Sequence, residues 1–419
     1  MPDTRSNSDQ HLSVLIEVVR QMSETFELAP LLCTAERAAL TVLQCDRATI
    51  FLYDRGTDEL YSKVATGTDE IRFPAKLGIA GEVVRTRSVV IVQDAYQDPR
   101  FNPEIDRQTG YRTRNMLTLP LIVPDGEVIG ALQLLNKLPG PFDDRDELLA
   151  GALGSLIGIT IKRQILLDAA AEKERLEHDL NIARHIQTQM LPKAQPEVAG
   201  FDIAGWNQPA DQTGGDCYSF LPLPGGQLGF LIADASGHGI GPALVVTQCR
   251  AMIRALAGHG VDMADIAGRV NNLLSEDLPG GRFVTACFGV LDPASHTAHY
   301  VSAGHGPLLW FHAATGEVDQ FGSSGLPLAV MEDSDYAVAK PITFEPGDMF
   351  CLLTDGFTEW TRPDGAQYGD DRMTEIIKQH RGLSSAELIR VIHEDVLRFS
   401  EGTSQADDLT VVIFKRVET

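Results

Sequence analysis

The second half of this 419-residue chain carries acidic residues at four places where carboxylate chemistry is expected. Residues 228–244 read LGFLIADASGHGIGPAL: an apolar run, Asp234 at its carboxyl end, then the small-residue turn Ser236-Gly237-His238-Gly239. Upstream stands Gly214-Gly215-Asp216. Downstream, the apolar run 349–354 ends in Asp355-Gly356 with Glu359 after it, and Asp407-Asp408 immediately precedes the apolar run 409–414. A single Asp beside a turn is commonly a cap or turn residue. Apolar runs that abut carboxylates are costly unless the charge is paired or metal-bound, and here the pattern recurs. Mg²⁺ and Mn²⁺ prefer carboxylate, carbonyl and water oxygens. The sites lack a Cys/His set, so they point to those ions over zinc.

Such residues need strands to hold them. The apolar runs predict strands at 202–206, 219–223, 227–233, 283–291, 297–302, 307–311, 336–340, 349–354 and 409–415. Helices are expected at 242–257, where Pro242 suits a first turn, and at 262–274, 371–380 and 385–398. Many antiparallel strands with clustered helices imply an α+β sandwich over 193–419. Residues 11–165 read as a separate α/β domain. It opens with helices at 12–25 and 30–43 and a strand at 47–53, with a short hairpin strand near 60–65. A glycine-bearing helix start follows at Gly78-Ile79-Ala80-Gly81. Paired strands at 116–122 and 128–136 turn through Pro124-Asp125-Gly126, and an apolar helix at 146–167 closes the domain.

Between the two, Leu166, Ala169, Lys173, Leu176, Leu180, Ala183, Gln187 and Met190 recur at alternating three- and four-residue steps until Pro192. This predicts a helical linker over 166–191: either one helix lying on a domain or a parallel dimeric coiled coil with two polar interruptions. The formal charge of −23 argues against a nucleic-acid or anionic-membrane partner. The six cysteines are scattered and read as reduced. The polar N-terminus and the absence of an 18-residue apolar run lead to the expectation of a soluble cytoplasmic protein with no membrane partner.

The stretch DAYQDPRFNPEIDRQTGYRTRNMLTLPL followed by GALQLLNK resembles a GAF domain of the cyclic-nucleotide-binding type. The resemblance extends through Asn136, Lys137, Phe142, Asp146 and Glu147. It implies that Lys137 and Asp146 brace the fold as an ion pair. It also implies that a cyclic nucleotide, cAMP or cGMP, contacts Ala80, Asp106, Thr109, Thr113 and Gln133. Backbone amides at the helix start around Ala80 suit a phosphate. Gln133 replaces a Glu of some relatives, which leaves the choice of purine open because an amide both donates and accepts.

The last domain resembles the PPM-type metal-dependent Ser/Thr protein phosphatases of the bacterial SpoIIE/RsbU-like branch, whose expected fold is an α-β-β-α sandwich. The motifs occur in order: IQTQMLP, GGDCYSF, DASGHG, SAGHGPLLW, LTDGFTEW and ADDLT. The resemblance implies two Mn²⁺ or Mg²⁺ ions among Asp216, Asp234, Asp355 and Asp407, with the Ala235 carbonyl as a further ligand. Asp408 is either a ligand or an outer neighbour. Ser219 stands where the family's GGDxxD motif has its last Asp, and His238 and His305 read as structural. The implied activity is hydrolysis of phosphoserine or phosphothreonine on a signalling protein, such as a STAS-type anti-sigma-factor antagonist, under GAF control; the coiled-coil reading of the linker makes the enzyme a homodimer through linker helix and GAF domain. The alternative is a catalytically weak sensor or scaffold that acts by dimerising. The intact acidic set favours the enzyme.

Overall fold

The computed structural model describes residue 20 and residues 27–62, 71–258, 262–278 and 281–418. The helix expected at 12–25 therefore lies outside the described residues, Arg20 excepted. The chain divides into two units, Met1–Arg175 and Leu176–Thr419.

In the first unit, α1 (Leu28–Leu43) buries Leu31, Leu32, Ala35, Ala39 and Val42 along one face. It stops where Gln44 turns left-handed at φ 48°. The sheet that follows comprises β1 (Cys45–Asp54), β2 (Glu59–Ser62), β3 (Ile71–Pro74), β4 (Val90–Val92), β5 (Met116–Ile122) and β6 (Val128–Lys137). Its order is β3-β2-β1-β6-β5-β4, and every pairing is antiparallel. The helix α1 covers one face together with the start of α4 (Asp144–Met190); α2 (Gly78–Thr86) covers the other. Between them in sequence, α3 (Glu104–Thr109) carries the loop toward β5. Gly130 is required by packing: a Cβ there would lie 2.0 Å from the Phe51 carbonyl oxygen. Lys137 and Asp146 form the expected ion pair, which closes β6 onto the first turn of α4.

The helix α4 is continuous over 47 residues, so the closing helix and the linker expected as two pieces are one element. No Pro or Gly interrupts 159–190, and nothing in that stretch stops propagation. By length and composition alone α4 passes as long and apolar enough to cross a membrane. Its apolar residues Ala150, Leu153, Ile157 and Ile161, however, are wholly buried in the first core.

The second unit stacks two five-stranded antiparallel sheets. The first runs β14-β11-β10-β9-β8, from β8 (Asp216–Pro222), β9 (Leu228–Ala235), β10 (Val284–Asp292), β11 (Thr297–Ala303) and β14 (Ile342–Thr343). The second runs β13-β12-β15-β16-β7, from β7 (Phe201–Gln208), β12 (Leu308–Phe311), β13 (Val318–Phe321), β15 (Met349–Leu353) and β16 (Leu409–Arg416). Tyr218, Phe230, Ile232, Phe350, Val412 and Phe414 fill the space between the sheets. Outside the first sheet lie α5 (Ile240–Ala257) and α6 (Met263–Asp277); outside the second lie α7 (Gly356–Glu359), α8 (Asp370–Gln379) and α9 (Ser385–Phe399). This is the α-β-β-α sandwich that the sequence led us to expect. The strand expected at 336–340 does not form, although the Ala339 N–H reaches the Tyr300 carbonyl at 2.8 Å. The short edge strands β13 and β14 lack the apolar pattern that would have revealed them.

Candidate functional site

The acidic residues gather where the ends of the two sheets meet. Asp216 opens β8 and lies directly opposite Asp234 on β9. Asp355 follows β15, and Asp407-Asp408 precede β16, the neighbour of β15. Each carboxylate therefore sits where a buried strand reaches the rim, and the antiparallel registers align those ends.

Asp216 is buried, and one of its oxygens accepts hydroxyls from Thr354 at 2.8 Å and Thr410 at 2.6 Å. Thr410 belongs to β16 and Thr354 directly follows β15, so Asp216 is gripped from the second sheet. Asp408 is also buried and accepts the Ala210 N–H at 2.7 Å and the Asp216 N–H at 3.2 Å, one on each oxygen. It braces the loop that presents Asp216. Burial is the first cause of the raised pKa values here. It pushes Asp216 well above the carboxylate range, with Asp234 and Asp408 adding repulsion. It raises Asp234 to about 7, helped by Asp355 and Asp407. Asp355 rises through burial and its neighbours Asp407 and Glu359, and Asp408 chiefly through burial. Among the described residues, none of the leading causes of these shifts is a Lys or Arg.

Close backbone approach is built into the same site. A Cβ on Gly214 would lie 2.4 Å from Asp408 Oδ2, one on Gly215 would lie 2.7 Å from the Ala235 carbonyl oxygen, and one on Gly356 would lie 2.1 Å from the Asp408 carbonyl oxygen. Ala235 is itself held by its N–H on the Gly215 carbonyl at 3.0 Å.

The donor set fits a hard divalent cation. It is all oxygen, anionic and uncompensated, with carboxylate pKa values raised for want of positive charge. As the side chains stand, no three His, Cys, Asp or Glu groups among the described residues enclose an ion. Asp216 and Asp408 are turned toward the hydroxyl and amide partners just named, which leaves Asp234, Asp355 and Asp407 as the less committed donors.

The linker helix touches this apparatus directly. Gln187 donates from Nε2 to the Gly214 carbonyl at 2.6 Å and accepts the Gly214 N–H at 3.1 Å. The Met190 carbonyl accepts from Arg250 of α5 at 2.6 Å. Sequence reasoning placed Gln187 in the seam of a helix that either lies on a domain or pairs in a coiled coil, and did not identify this contact or Thr354 and Thr410. The IQTQMLP motif, just ahead of the domain, was the one available signal for Gln187.

The two motif histidines bond to other partners. His238 is exposed, with Nδ1 2.8 Å from Asp211 Oδ2. His305 is buried, with Nδ1 2.9 Å from Thr285 Oγ1, and burial lowers its pKa to about 4. It is neutral at ordinary pH, as a structural histidine should be.

In the first unit, Asp106 and Thr113 come together, both buried. Asp106 accepts the Thr113 hydroxyl at 2.9 Å and N–H at 2.7 Å, and the Tyr96 hydroxyl at 3.1 Å. Gln133 on β6 instead donates to Thr118 of β5 at 3.4 Å. Ala80 is buried in the first turn of α2. The Thr109 side chain lies outside the described residues.

Comparison with known proteins places both units. Residues 27–161 match the family described as GAF domain, and residues 224–417 match that described as Stage II sporulation protein E (SpoIIE). The chain joins a GAF domain to a SpoIIE/PP2C-type phosphatase domain. The SpoIIE match includes Asp234, Asp355, Asp407 and Asp408; Asp216 precedes it and is joined to the set by the β8–β9 pairing. Phosphoserine phosphatase RsbU of Bacillus subtilis is 25% identical over 244 residues, 58% of this chain and 72% of that protein. A probable 3',5'-cyclic phosphodiesterase, pde-5 of Caenorhabditis elegans, is 34% identical over 156 residues, 36% of this chain but 21% of that protein. The chain thus spans most of the first relative and about a fifth of the second. Among solved structures, the SiaA-PP2C domain of Pseudomonas aeruginosa superposes with a TM-score of 0.51 at 22% identity, covering 59% of this chain and 98% of that one. That likeness supports the fold of the second unit.

Proposed function

We propose that this chain is a metal-dependent phosphoserine/phosphothreonine protein phosphatase whose output is set by a ligand of its GAF domain. The observation that carries this reading is the set of carboxylates at the joined ends of two sheets, with no Lys or Arg paired to Asp216, Asp234, Asp355, Asp407 or Asp408 among the described residues. Asp234, Asp355 and Asp407, with Asp216 and the Ala235 carbonyl, would hold two Mn²⁺ or Mg²⁺ ions. The chemistry such ions would supply there is activation of water and neutralisation of phosphoryl charge. The chain's own residues prepare the place. Thr354 and Thr410 fix Asp216, Asp408 fixes its loop, and the glycines let main chain approach without obstruction. Both oxygens of Asp408 are committed to amides, which supports a bracing role over direct ligation.

The substrate of this reading is a phosphorylated signalling protein, a STAS-type anti-sigma-factor antagonist by family resemblance. RsbU, the relative above, is by its name a phosphoserine phosphatase. The GAF ligand is a cyclic nucleotide, cAMP or cGMP. The Asp106–Thr113–Tyr96 cluster supplies the polar groups, and binding exchanges some of their mutual hydrogen bonds for bonds to ligand. The chain acts as a cytoplasmic homodimer, with the exposed part of the seam at Leu166, Ala169, Lys173 and Leu176 as a parallel coiled coil. The later seam positions Leu180, Ala183, Gln187 and Met190 are half-buried, and Gln187 and Met190 already bond to the phosphatase domain.

The test is hydrolysis of a generic phosphomonoester by the full chain with Mn²⁺, with EDTA, and with Mn²⁺ plus cAMP or cGMP. Mn²⁺-dependent turnover is expected, silenced by EDTA and changed by one nucleotide. Turnover that survives EDTA and Asp234→Asn overturns the metal reading, and indifference to both nucleotides overturns the ligand assignment.

A further inference from the structure

Ser219 lies three residues after Asp216 on β8, so the two-residue strand period puts it on the opposite face. Asp216 turns toward Thr354 and Thr410 of the second sheet, while Cys217 packs in the core beneath α5 and α6. Ser219 shares the face of Cys217. It is buried there, and its hydroxyl accepts a hydrogen bond from Arg254 in the last turn of α5. The same Arg254 nitrogen donates to the Phe220 carbonyl at 2.9 Å. The family motif's last Asp would thus face the helices and this guanidinium, away from the acidic cluster.

Among the described residues no carboxylate pairs with Arg254. Its half-buried charge meets only neutral oxygens, where a carboxylate would make a shorter and stronger charge-assisted bond. Beside the pair, between the sheet and the two helices, is a cavity of about 60 Å³ walled by Leu231, Ile253, Met263, Ile266 and Phe288. That is roughly four times the space one water needs, enough for a molecule of about four to six non-hydrogen atoms. A part-open cavity with apolar walls and one cation at its edge selects a small molecule that is apolar at one end and anionic at the other.

We infer that this cavity binds a short aliphatic carboxylate, its anion on Arg254 and Ser219 and its alkyl tail among the apolar walls. No bond is made or broken. The ligand would tie β8, which carries Asp216, to α5, which follows the Asp234 turn.

The test is thermal unfolding of the full chain with sodium propionate, against sodium chloride of equal ionic strength and against propionamide, the neutral analogue. Propionate should raise Tm by roughly 3–6 °C at about ten times its Kd, and propionamide should not. Ser219→Asp places a carboxylate on Arg254 from within, and should raise Tm by itself while abolishing the response to propionate. Equal shifts from propionate and propionamide, or no propionate shift at millimolar concentration, overturn the proposal without any variant. A full propionate shift retained in Ser219→Asp or Arg254→Met overturns it as well.

Discussion

Gln187→Ala removes a side chain through which the linker helix holds the backbone beside Asp216. Two hydrogen bonds go, at 2.6 and 3.1 Å. Each is worth about 1 kcal/mol net, and a backbone group left without its partner costs about 1–3 kcal/mol if water does not reach it. The site is half-buried, so we take the lower end and assign roughly 2 kcal/mol to the loss. That energy falls on the position of Gly214-Gly215, and through the Gly215 carbonyl it also falls on Ala235. If the loop is held in its metal-competent form by this contact, about 2 kcal/mol is about a thirtyfold change in a binding constant. The assay is phosphomonoester turnover titrated with Mn²⁺. Half-activation should move to a Mn²⁺ concentration about ten- to thirtyfold higher, while turnover at saturating Mn²⁺ stays within about threefold of wild type. Gln187→Glu, which cannot donate to the Gly214 carbonyl, should behave like the Ala variant. A wild-type Mn²⁺ titration in both variants would falsify the coupling, since the contact would then carry no energy that the metal feels.

Asp234→Asn should abolish turnover and raise the Tm of the EDTA-treated protein, because it removes one charge from an uncompensated cluster; unchanged turnover refutes the site. The pH dependence has a definite sign. Asp234 is raised from 3.8 to about 7, so the folded state favours its protonated form. Its contribution to stability is full below pH ~4 and is lost as pH rises to ~7. The Tm of the EDTA-treated protein should carry a falling component across that window, absent from Asp234→Asn, and identical pH profiles for the two proteins would refute it. Thr113→Ala takes a hydroxyl from the buried Asp106, which should cost about 1–3 kcal/mol of GAF stability and weaken binding of cAMP or cGMP in calorimetry of the full chain. Nucleotide affinity equal to wild type removes Thr113 from the ligand site. Inserting one residue after Glu174 turns the following helix by about 100° and should uncouple nucleotide from activity, whereas seven residues should restore coupling. Equal behaviour of both insertions, or a fully regulated monomer by sedimentation, makes the linker a passive tether.

The carboxylates were legible because each breaks a pattern. An apolar run that abuts Asp beside Gly is conspicuous, and the runs at 228–233, 349–353 and 409–414 are strands in the structure. What fixes those carboxylates was not legible. Thr354 and Thr410 look like ordinary β-branched strand residues, and their partner Asp216 is 138 and 194 residues away. Gln187 looked like a flaw in an apolar seam because the periodicity reports which face a residue occupies, not what lies against it. The strand expected at 336–340 failed for a similar reason: its alternation is real, but it has no ladder of partners. Ser219 was visible as a departure, yet only the alternation of β8 against its neighbours shows which way the departure points.

The pairing of β7 with β16 has a consequence for how the protein is made. Asn207 of β7 and Thr410 of β16 are joined across 203 residues, and β16 separates β15 from β7 within its sheet. Until β16 is synthesised, β7 and β15 have no common neighbour, and the grip on Asp216 lacks one of its hydroxyls. Non-local pairings of this kind slow folding, because the chain loses loop entropy before the contacts form. A nascent chain therefore presents an unpaired β7 edge for most of the second domain's synthesis. The second hydroxyl that holds Asp216, that of Thr410, arrives only with β16.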